Sequence, residues 1–285
     1  MDSRKVLTQD IIRNWVMTTT GTFHLSDIHR DLNIKSPEGK SSLRVTMHRL
    51  ANEGYVIRVQ GKDGFYRFVD KELIPLNWKD ADPKNVFPVK YPFGIEKYAA
   101  TYPKNIITIG GSKDAGKTAY IINLIRMNMK RHRVVLFNSE SGEAELKNRL
   151  LNADGVGIED WCFETYERNI DFADVIIPEA MNIIDFLELN EDFYKVARYI
   201  KEIFDKLTTG IAVIALQKNK GAEYARGGAG AEEKARIILH LDPGELTLKV
   251  AKNWAEGVTA SPKGKKWTFQ IVGGCNFVNI RESFE

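Results

Sequence analysis

The segment Asn105–Thr118 reads NIITIGGSKDAGKT and decides the fold of this chain. Its first five residues are mostly apolar and β-branched, a pattern typical of a buried strand. The motif G-x-x-x-x-G-K-T follows, and Ala119–Arg131 then continue with apolar residues at helical spacing. A strand, a glycine loop and a helix in this order predict a phosphate-binding loop, because its backbone amides and the helix N-terminus attract an anion.

The motif assigns a role to several of its residues. Gly111 and Gly116 let the backbone wrap closely around an anion, because glycine adopts conformations that other residues avoid. Lys117 is expected to reach the β- and γ-phosphates of a nucleotide, and the Thr118 hydroxyl is expected to bind Mg²⁺. The residues expected to hold the nucleotide are Gly111, Ser112, Lys113, Asp114, Ala115, Gly116, Lys117 and Thr118.

Two acidic residues are associated with apolar strand patterns further along the chain. Arg133–Asn138 reads RVVLFN and is followed by Glu140, and Asn182–Leu187 reads NIIDFL and contains Asp185. Open α/β sheets bind their ligands at the carboxyl ends of the strands, so we expect both carboxylates to face the phosphates. Phosphoryl transfer needs a carboxylate near the metal and a residue that orients water. The alternative for Glu140 is an acid that only stabilises a helix N-terminus.

From near Val86 to the end, apolar strand patterns alternate with helical ones, which predicts an α/β fold with a mainly parallel sheet covered by helices. No apolar run approaches the ~20 residues that cross a bilayer. The N-terminal region lacks the continuous apolar core of a signal peptide, so we expect a cytoplasmic protein without membrane contact. The two cysteines, Cys162 and Cys275, have no metal-ligand spacing and are expected to be buried or half-buried thiols.

Residues 1–72 show a different pattern, with three helical segments followed by two β-rich runs. The helical segments are Val6–Met17, Leu25–Leu32 and Ser41–Glu53, and the β-rich runs are Tyr55–Val59 and Gly64–Val69. Three helices and a hairpin resemble a winged helix-turn-helix domain, whose third helix enters the DNA major groove while the hairpin wing contacts the backbone. This block holds 12 Lys and Arg against 9 Asp and Glu, which accounts for the net charge of +3.

The winged-helix resemblance implies DNA contacts from the third helix and the wing. The side chains concerned are Arg44, Thr46, His48 and Arg49 on the helix and Arg58, Lys62 and Arg67 on the wing. The alternative is a winged helix that docks on protein, with the same charges solvated. Residues 73–95 contain four prolines and are predicted to be a connector, because proline disfavours helix, and residues 96–285 are predicted to be the second domain.

Six segments of the second block follow one another in the order found in a known family. The segments are VVLFNSESGEAELKNRLL, NIIDFLEL, KVARYIKEIFDKL, GIAVIALQKN, ARGGAGAEEKARIILHL and GELTLKVAKN. Together they resemble the RecA/DnaB-like P-loop ATPases, which include the replicative helicases. The resemblance spans roughly residues 86–274 and implies a RecA-like core that binds ATP and Mg²⁺.

The same resemblance implies a role for five residues. Glu140 corresponds to the general base that orients water, and Asp185 to the acid beside Mg²⁺. Gln217 corresponds to the sensor of the γ-phosphate, and Lys252 to a basic finger that reaches the nucleotide of a neighbouring subunit. Arg226 lies where the family often has a basic residue facing DNA or nucleotide. The alternative for Lys252 is an ordinary exposed lysine beside a strand.

The sequence departs from the family pattern in three places. Leu216 stands where a serine often precedes the sensor, and Trp254 stands where the finger strand commonly has an arginine. The N-terminal block also differs from the helical, primase-binding domain of replicative helicases. This last departure points to a plasmid- or phage-type variant or to a separate class.

Two glycine-rich stretches, Glu223–Gly230 and Gly257–Lys266, are predicted to be mobile loops. In ring-shaped members of the family such loops line the DNA channel, which implies phosphate contacts for Lys263, Lys265 and Lys266. A solvated hairpin tip is the alternative.

The sequence thus predicts an ATP-driven motor or ATPase that acts on single- or double-stranded DNA, with helicase activity in replication as the sharpest form. The resemblance further implies a homo-oligomer, hexameric where the family forms closed rings. Two alternatives belong to other classes. One is a nucleotide-switched DNA-binding regulator of partitioning, packaging or transposition, and the other is a RecA-like recombination mediator that forms filaments.

Overall fold

The computed structural model of the chain describes residues 9–19, 21–69, 73, 75–185, 196–219, 222–225 and 233–283. The chain divides into two compact units, residues 1–81 and residues 82–285. Within the described residues, no helix is both long and apolar enough to cross a membrane.

The N-terminal unit contains three helices and a three-stranded antiparallel sheet. Its elements are α1 (Gln9–Thr18), β1 (Thr22–His24), α2 (Leu25–Asp31), α3 (Pro37–Asn52), β2 (Val56–Arg58) and β3 (Phe65–Phe68). β3 lies between β1 and β2. The helices and the hairpin occur where the sequence pattern predicts them, but β1 was not predicted, because three residues are too few to show an alternating pattern. Assignment of this unit to the winged-helix class stays a prediction.

The third helix begins four residues earlier than its apolar pattern suggests. Ser36 is the N-cap, and its hydroxyl accepts a hydrogen bond from the amide of Gly39 at 3.0 Å. Pro37 follows in the first helical turn, where its missing N–H costs nothing. The capping residues rather than the first apolar residue therefore set this boundary.

The second unit is built on one nine-stranded sheet. Its strands are β4 (Ile106–Gly111), β5 (Val134–Asn138), β6 (Glu164–Glu167), β7 (Met181–Asp185), β8 (Ile211–Gln217), β9 (Ala235–Asp242), β10 (Glu245–Ala251), β11 (Lys266–Val272) and β12 (Asn276–Ser283). The strand order is β12-β11-β10-β9-β4-β8-β7-β5-β6. The strands from β9 to β6 pair in parallel and the other three pair antiparallel. The predicted α/β fold with a mainly parallel sheet is confirmed.

Helices cover the strands that carry the phosphate loop. They are α4 (Lys117–Asn128), α5 (Glu143–Leu151) and α6 (Val196–Lys206). Every residue of β4 is buried, as expected for a parallel strand with both faces covered. Ile107 and Ile109 pack in the apolar cluster that contains Ile121 of α4, whereas Ile106 packs in the cluster that contains Ile200 of α6. β4 is thereby fixed between two hydrophobic cores.

The second half of the predicted connector belongs to the second unit. Val89, Tyr91 and Ile95 are buried in the same apolar cluster as the strands, and the Tyr91 hydroxyl hydrogen bonds to that of Thr101 at 2.7 Å. A short 3₁₀ helix spans Pro92–Lys97. The prolines do exclude an α-helix here, but they do not keep the chain out of the core, so the predicted boundary at residue 96 lies too far along the chain.

Candidate nucleotide site

The phosphate loop connects the end of β4 to the start of α4. Gly116 is the N-cap of α4 and has a φ of 94°, a left-handed conformation that favours glycine. A Cβ atom at Gly116 would meet Ile271 Cδ1 at 2.5 Å, and one at Gly111 would meet Lys117 Cγ at 2.6 Å. Gly116 therefore suits the loop conformation, and both motif glycines leave room for close packing around the loop.

The Lys117 side chain folds back over the loop. Its ammonium donates to the carbonyl oxygens of Gly111 and Ser112, each at 3.2 Å. Burial lowers the Lys117 pKa, while the nearby carboxylates of Glu140 and Asp185 raise it. The ammonium thus lies on the loop that it is predicted to serve, with two acids close enough to influence its charge.

Asp185 ends β7 and is only 3% exposed. Its Oδ1 atom is buried and has no hydrogen-bond partner within the described residues. Burial raises the pKa of Asp185 to about 6, against a hydrogen bond from Thr118 and the charge of Lys117, which lower it. The residues predicted to bind Mg²⁺, Thr118 and Asp185, are therefore in contact, and one carboxylate oxygen is available for a further ligand.

Glu140 lies on a tight turn after β5 that is held by Asn138. The Asn138 Oδ1 atom accepts from the amides of Glu140 at 3.2 Å and Ser141 at 3.1 Å, and its Nδ2 donates to the Ser141 carbonyl. Asn138 is also the register partner of Asp185 in the neighbouring strand. Sequence reasoning missed this residue, although an Asn at a strand end before a polar turn is the signal for such a side-chain-to-backbone turn.

A cavity of about 730 Å³ opens over the phosphate loop, a size typical of small-molecule sites. It is lined by Lys113, Asp114, Ala115, Gly116, Lys117, Thr118, Ala119, Glu140, Ser141, Glu145, Arg149, Gln217, Ile271 and Gly274. Gln217, the predicted sensor, is the register partner of Gly111. Arg149 received no role from the sequence; it is half-buried, pairs with Glu145 at 2.8 Å, and adds a third cation to the cavity beside Lys113 and Lys117.

Lys252 lies away from this cavity. Its amide donates to the carbonyl of Arg236, near the end of the sheet where Ile106 begins β4 and opposite to the end that carries Gly111. Its ammonium donates to the Glu233 carbonyl at 2.8 Å, and burial together with Arg236 lowers its pKa. Lys252 therefore does not join the phosphate loop of its own chain, and its role toward a neighbouring subunit stays a prediction.

Most of the residues predicted to contact DNA in the N-terminal unit are exposed. Those residues are Arg44, His48, Arg49, Arg58, Lys62 and Arg67. Thr46 is an exception: it is 7% exposed and faces the core, so including it among the groove-facing side chains was wrong. Arg58 Nε donates to the Tyr66 hydroxyl at 3.2 Å, and the Lys62 ammonium lies 5.6 Å from the centre of the Phe65 ring. These contacts hold the two wing cations against the hairpin.

Of the lysines predicted to contact DNA from the stretch Gly257–Lys266, some are exposed and others are paired within the protein. Lys263 is exposed. Lys265 is half-buried, forms an ion pair with Glu282 at 2.7 Å and lies 4.5 Å from the centre of the Tyr98 ring, so it is not a free cation for DNA. The backbone of Gly264 is hydrogen bonded to Leu248, so the prediction of a mobile stretch up to residue 266 was wrong at this end. Arg226 and most of its glycine-rich stretch lie outside the described residues.

Comparison with solved structures shows a shared fold. A KaiC-like protein from the hyperthermophilic archaeon Pyrococcus horikoshii OT3 matches with a TM-score of 0.51 and 16% identity, over 69% of this chain and 100% of that one. The RadB recombinase matches with a TM-score of 0.46 and 12% identity, over 62% of this chain and 91% of that one. No protein-family model matches the sequence, and no curated protein sequence matches it.

The likeness to the KaiC-like protein concerns the fold alone, because the sequence identity is low. It shows a shared α/β fold, in which β4, the glycine loop and α4 follow one another in the order that the sequence predicted for this unit. Activity has to be argued from the residues of the site.

Proposed function

We propose that this protein binds ATP with Mg²⁺ and hydrolyses it, and that it couples the nucleotide state to binding of DNA. One observation carries the proposal: the buried Asp185 has a carboxylate oxygen without a hydrogen-bond partner among the described residues, and it lies beside Thr118 at the glycine loop that carries Lys117. A purely structural aspartate would be expected to use both oxygens, since an unpaired buried acceptor costs about 1–3 kcal/mol.

The donor set suits magnesium. Mg²⁺ prefers oxygen ligands, usually one or two from the protein together with phosphate oxygens and water. Asp185 and Thr118 supply a carboxylate and a hydroxyl, and no cluster of three or more His, Cys, Asp or Glu within the described residues offers a protein-only metal site. When bound, Mg²⁺ would neutralise charge on the phosphates. Asp185 would hold it through the oxygen that now lacks a partner.

The remaining residues of the site have distinct tasks. Lys117 would leave the carbonyls of Gly111 and Ser112 and neutralise the phosphate oxygens, supported by the amides at the N-terminus of α4. Glu140 lies on a rigid turn at the cavity wall, from which its carboxylate would orient the attacking water. Arg149 and Gln217 would contact the terminal phosphate from the two sides of the cavity.

The DNA partner is proposed from the N-terminal unit. Its third helix exposes Arg44, His48 and Arg49 on one side while Leu43, Met47 and Leu50 fill the core. The order of its helices and strands suits a winged helix whose third helix reads the major groove. A homo-oligomer is proposed because Lys252 would need a neighbouring chain's nucleotide. A helicase is one form of this function, with a nucleotide-switched regulator or a recombination mediator as the others.

Two assays test the proposal. ATP turnover is measured with and without Mg²⁺, and with added single- or double-stranded DNA, for the wild type and for Lys117→Ala. We expect Mg²⁺-dependent turnover that DNA changes, and loss of nucleotide binding in the variant with the fold intact. An ATP turnover rate that does not change when DNA is added would contradict the proposed coupling to DNA. Absence of nucleotide binding in the wild type would contradict the proposal as a whole.

A further inference from the structure

Two strand ends flank the beginning of the phosphate loop. β8 and β9 both pair with β4, and the register partners of Gly111 are Gln217 on one side and Leu241 on the other. The next residues along these strands are Lys218 and Asp242. Both therefore lie just past the last residue of β4, on either side of the loop.

Lys218 and Asp242 meet across the loop. The Lys218 ammonium lies 2.9 Å from Asp242 Oδ2, and Lys218 is only 3% exposed, whereas lysine is almost never fully buried unless it is paired. The same ammonium also approaches the Ala222 carbonyl at 3.4 Å. The Lys218 ammonium thus links the end of β8 both to Asp242 at the end of β9 and to the backbone of the segment 222–225.

The backbone of Lys218 holds the loop itself. Its amide donates to the Gly111 carbonyl at 2.9 Å, and the Lys117 ammonium donates to that same oxygen at 3.2 Å. If Lys117 turns toward a phosphate, the Lys218 amide keeps this buried carbonyl paired, as buried backbone groups require. Movement of the catalytic lysine then leaves the start of the loop in place.

The segment tied by Lys218 packs beside β4. Ala225 is buried beside Gly110, where a Cβ atom would meet the Ala225 Cβ at 3.3 Å. The segment overlaps the glycine-rich stretch Glu223–Gly230, which the resemblance assigns to a nucleic-acid contact. A continuous set of contacts therefore runs from Gln217 at the cavity through Lys218 to residues 222–225.

We propose that Lys218 and Asp242 are a positioning pair that sets Gln217 and the start of the phosphate loop to distinguish a nucleoside triphosphate from a diphosphate. The pair also transmits that distinction to the segment 222–225. This inference rests on the proposed function of the site. Stability alone is a weak reason for such a pair, since buried ion pairs are often replaced by apolar residues without loss.

The test removes both charges together in Lys218→Met/Asp242→Leu, so that the buried Lys218 ammonium is not left without its half-buried partner. Binding of ADP and of a non-hydrolysable ATP analogue is measured with Mg²⁺, beside kcat and KM for ATP. We expect ADP affinity within about twofold of wild type, because the loop amides and Lys117 remain. The preference for the triphosphate should fall by ~10-fold, and kcat should fall more than KM changes.

Arg133→Met/Glu164→Gln is the matched control. It removes an exposed ion pair of 2.6 Å between the residue that precedes β5 and the first residue of β6, and neither residue lines the cavity. This control should keep the triphosphate preference and kcat of the wild type. If the Lys218→Met/Asp242→Leu protein is unfolded, Lys218→Met/Asp242→Asn carries the same comparison, because it also removes both charges and keeps the shape of the Asp242 side chain.

An unaltered triphosphate preference and kcat in the folded variant would overturn the inference and leave the pair a structural one. Nucleotide binding and ATP turnover of the wild type test the proposed function. The ratio of the variant's triphosphate preference and kcat to those of the wild type tests the role of the ion pair. Because analogue binding requires no hydrolysis, the positioning role is tested even if the wild type does not turn over ATP.

Discussion

Replacing Asp185 by Asn should stabilise the nucleotide-free protein while it impairs the site. The Asp185 pKa is raised from its ordinary 3.8 to about 6, with burial as the main cause. At about 1.4 kcal/mol per pKa unit, holding the ionised carboxylate in the folded state costs about 3 kcal/mol. Asn keeps the shape of the side chain and removes the charge. We therefore expect the free energy of unfolding at pH 8 to rise by about 1–3 kcal/mol, which is less than the full penalty where the new amide donor lacks an acceptor.

The sign of the pH dependence follows from the same shift. Between pH 3.8 and about 6 the folded state binds more protons at Asp185 than the unfolded state, so this group makes the free energy of unfolding fall as pH rises. Above that window the penalty is complete and constant. The stabilisation by Asp185→Asn should therefore be full at pH 8 and should shrink toward pH 4.5.

Urea unfolding at both pH values measures this difference, and Glu140→Gln is the control. Glu140 is an exposed acid on the same cavity, so its replacement should change stability by less than about 0.5 kcal/mol at either pH. Stabilisation of wild type by ATP and Mg²⁺ should be reduced in Asp185→Asn. A variant that is less stable than wild type at pH 8, or whose gain is the same at both pH values, would refute the reasoning.

Three further predictions concern activity and DNA. Glu140→Gln should keep ATP bound but slow hydrolysis by ~10²-fold or more, as measured in single turnover, because the water loses its positioned base. Asn138→Ala should lower kcat by ~10-fold with little change in KM, since the turn that carries Glu140 loses the three hydrogen bonds described above; an equal kcat would mean that the turn holds without Asn138. Duplex binding should weaken with salt, and Arg44→Ala/Arg49→Ala should reduce the slope of log affinity against log salt by about 1.8 if both contact phosphates, measured by fluorescence anisotropy. An unchanged slope would mean that Arg44 and Arg49 do not contact DNA phosphates.

The sequence predicted the parts of the fold that depend on local pattern. β4, the glycine loop and α4 are found because a buried apolar strand, two required glycines and a helical apolar spacing each leave a local signal. Asp185 could be predicted for the same reason, since it lies near the C-terminal end of a short apolar run that is typical of a buried parallel strand.

Other features depend on contacts between distant residues and leave no such signal. Tyr91 joins the core through packing with strands far along the chain, although prolines around it are typical of a linker. The sequence around Lys265 predicts an exposed loop cation, because its partner Glu282 lies 17 residues later in the chain. The ion pair of Lys218 and Asp242 spans 24 residues and appears only when β8 and β9 flank β4.

The central claim is that a nucleotide lies in the loop around Lys117 with the carboxylates of Glu140 and Asp185 directed at its phosphates. A crystal structure with a non-hydrolysable ATP analogue and Mg²⁺ measures this directly. We expect the Lys117 ammonium to have moved from the Gly111 and Ser112 carbonyls to the phosphates, and Asp185 to lie beside the metal. A nucleotide bound elsewhere, or carboxylates turned away from its phosphates, would contradict the account.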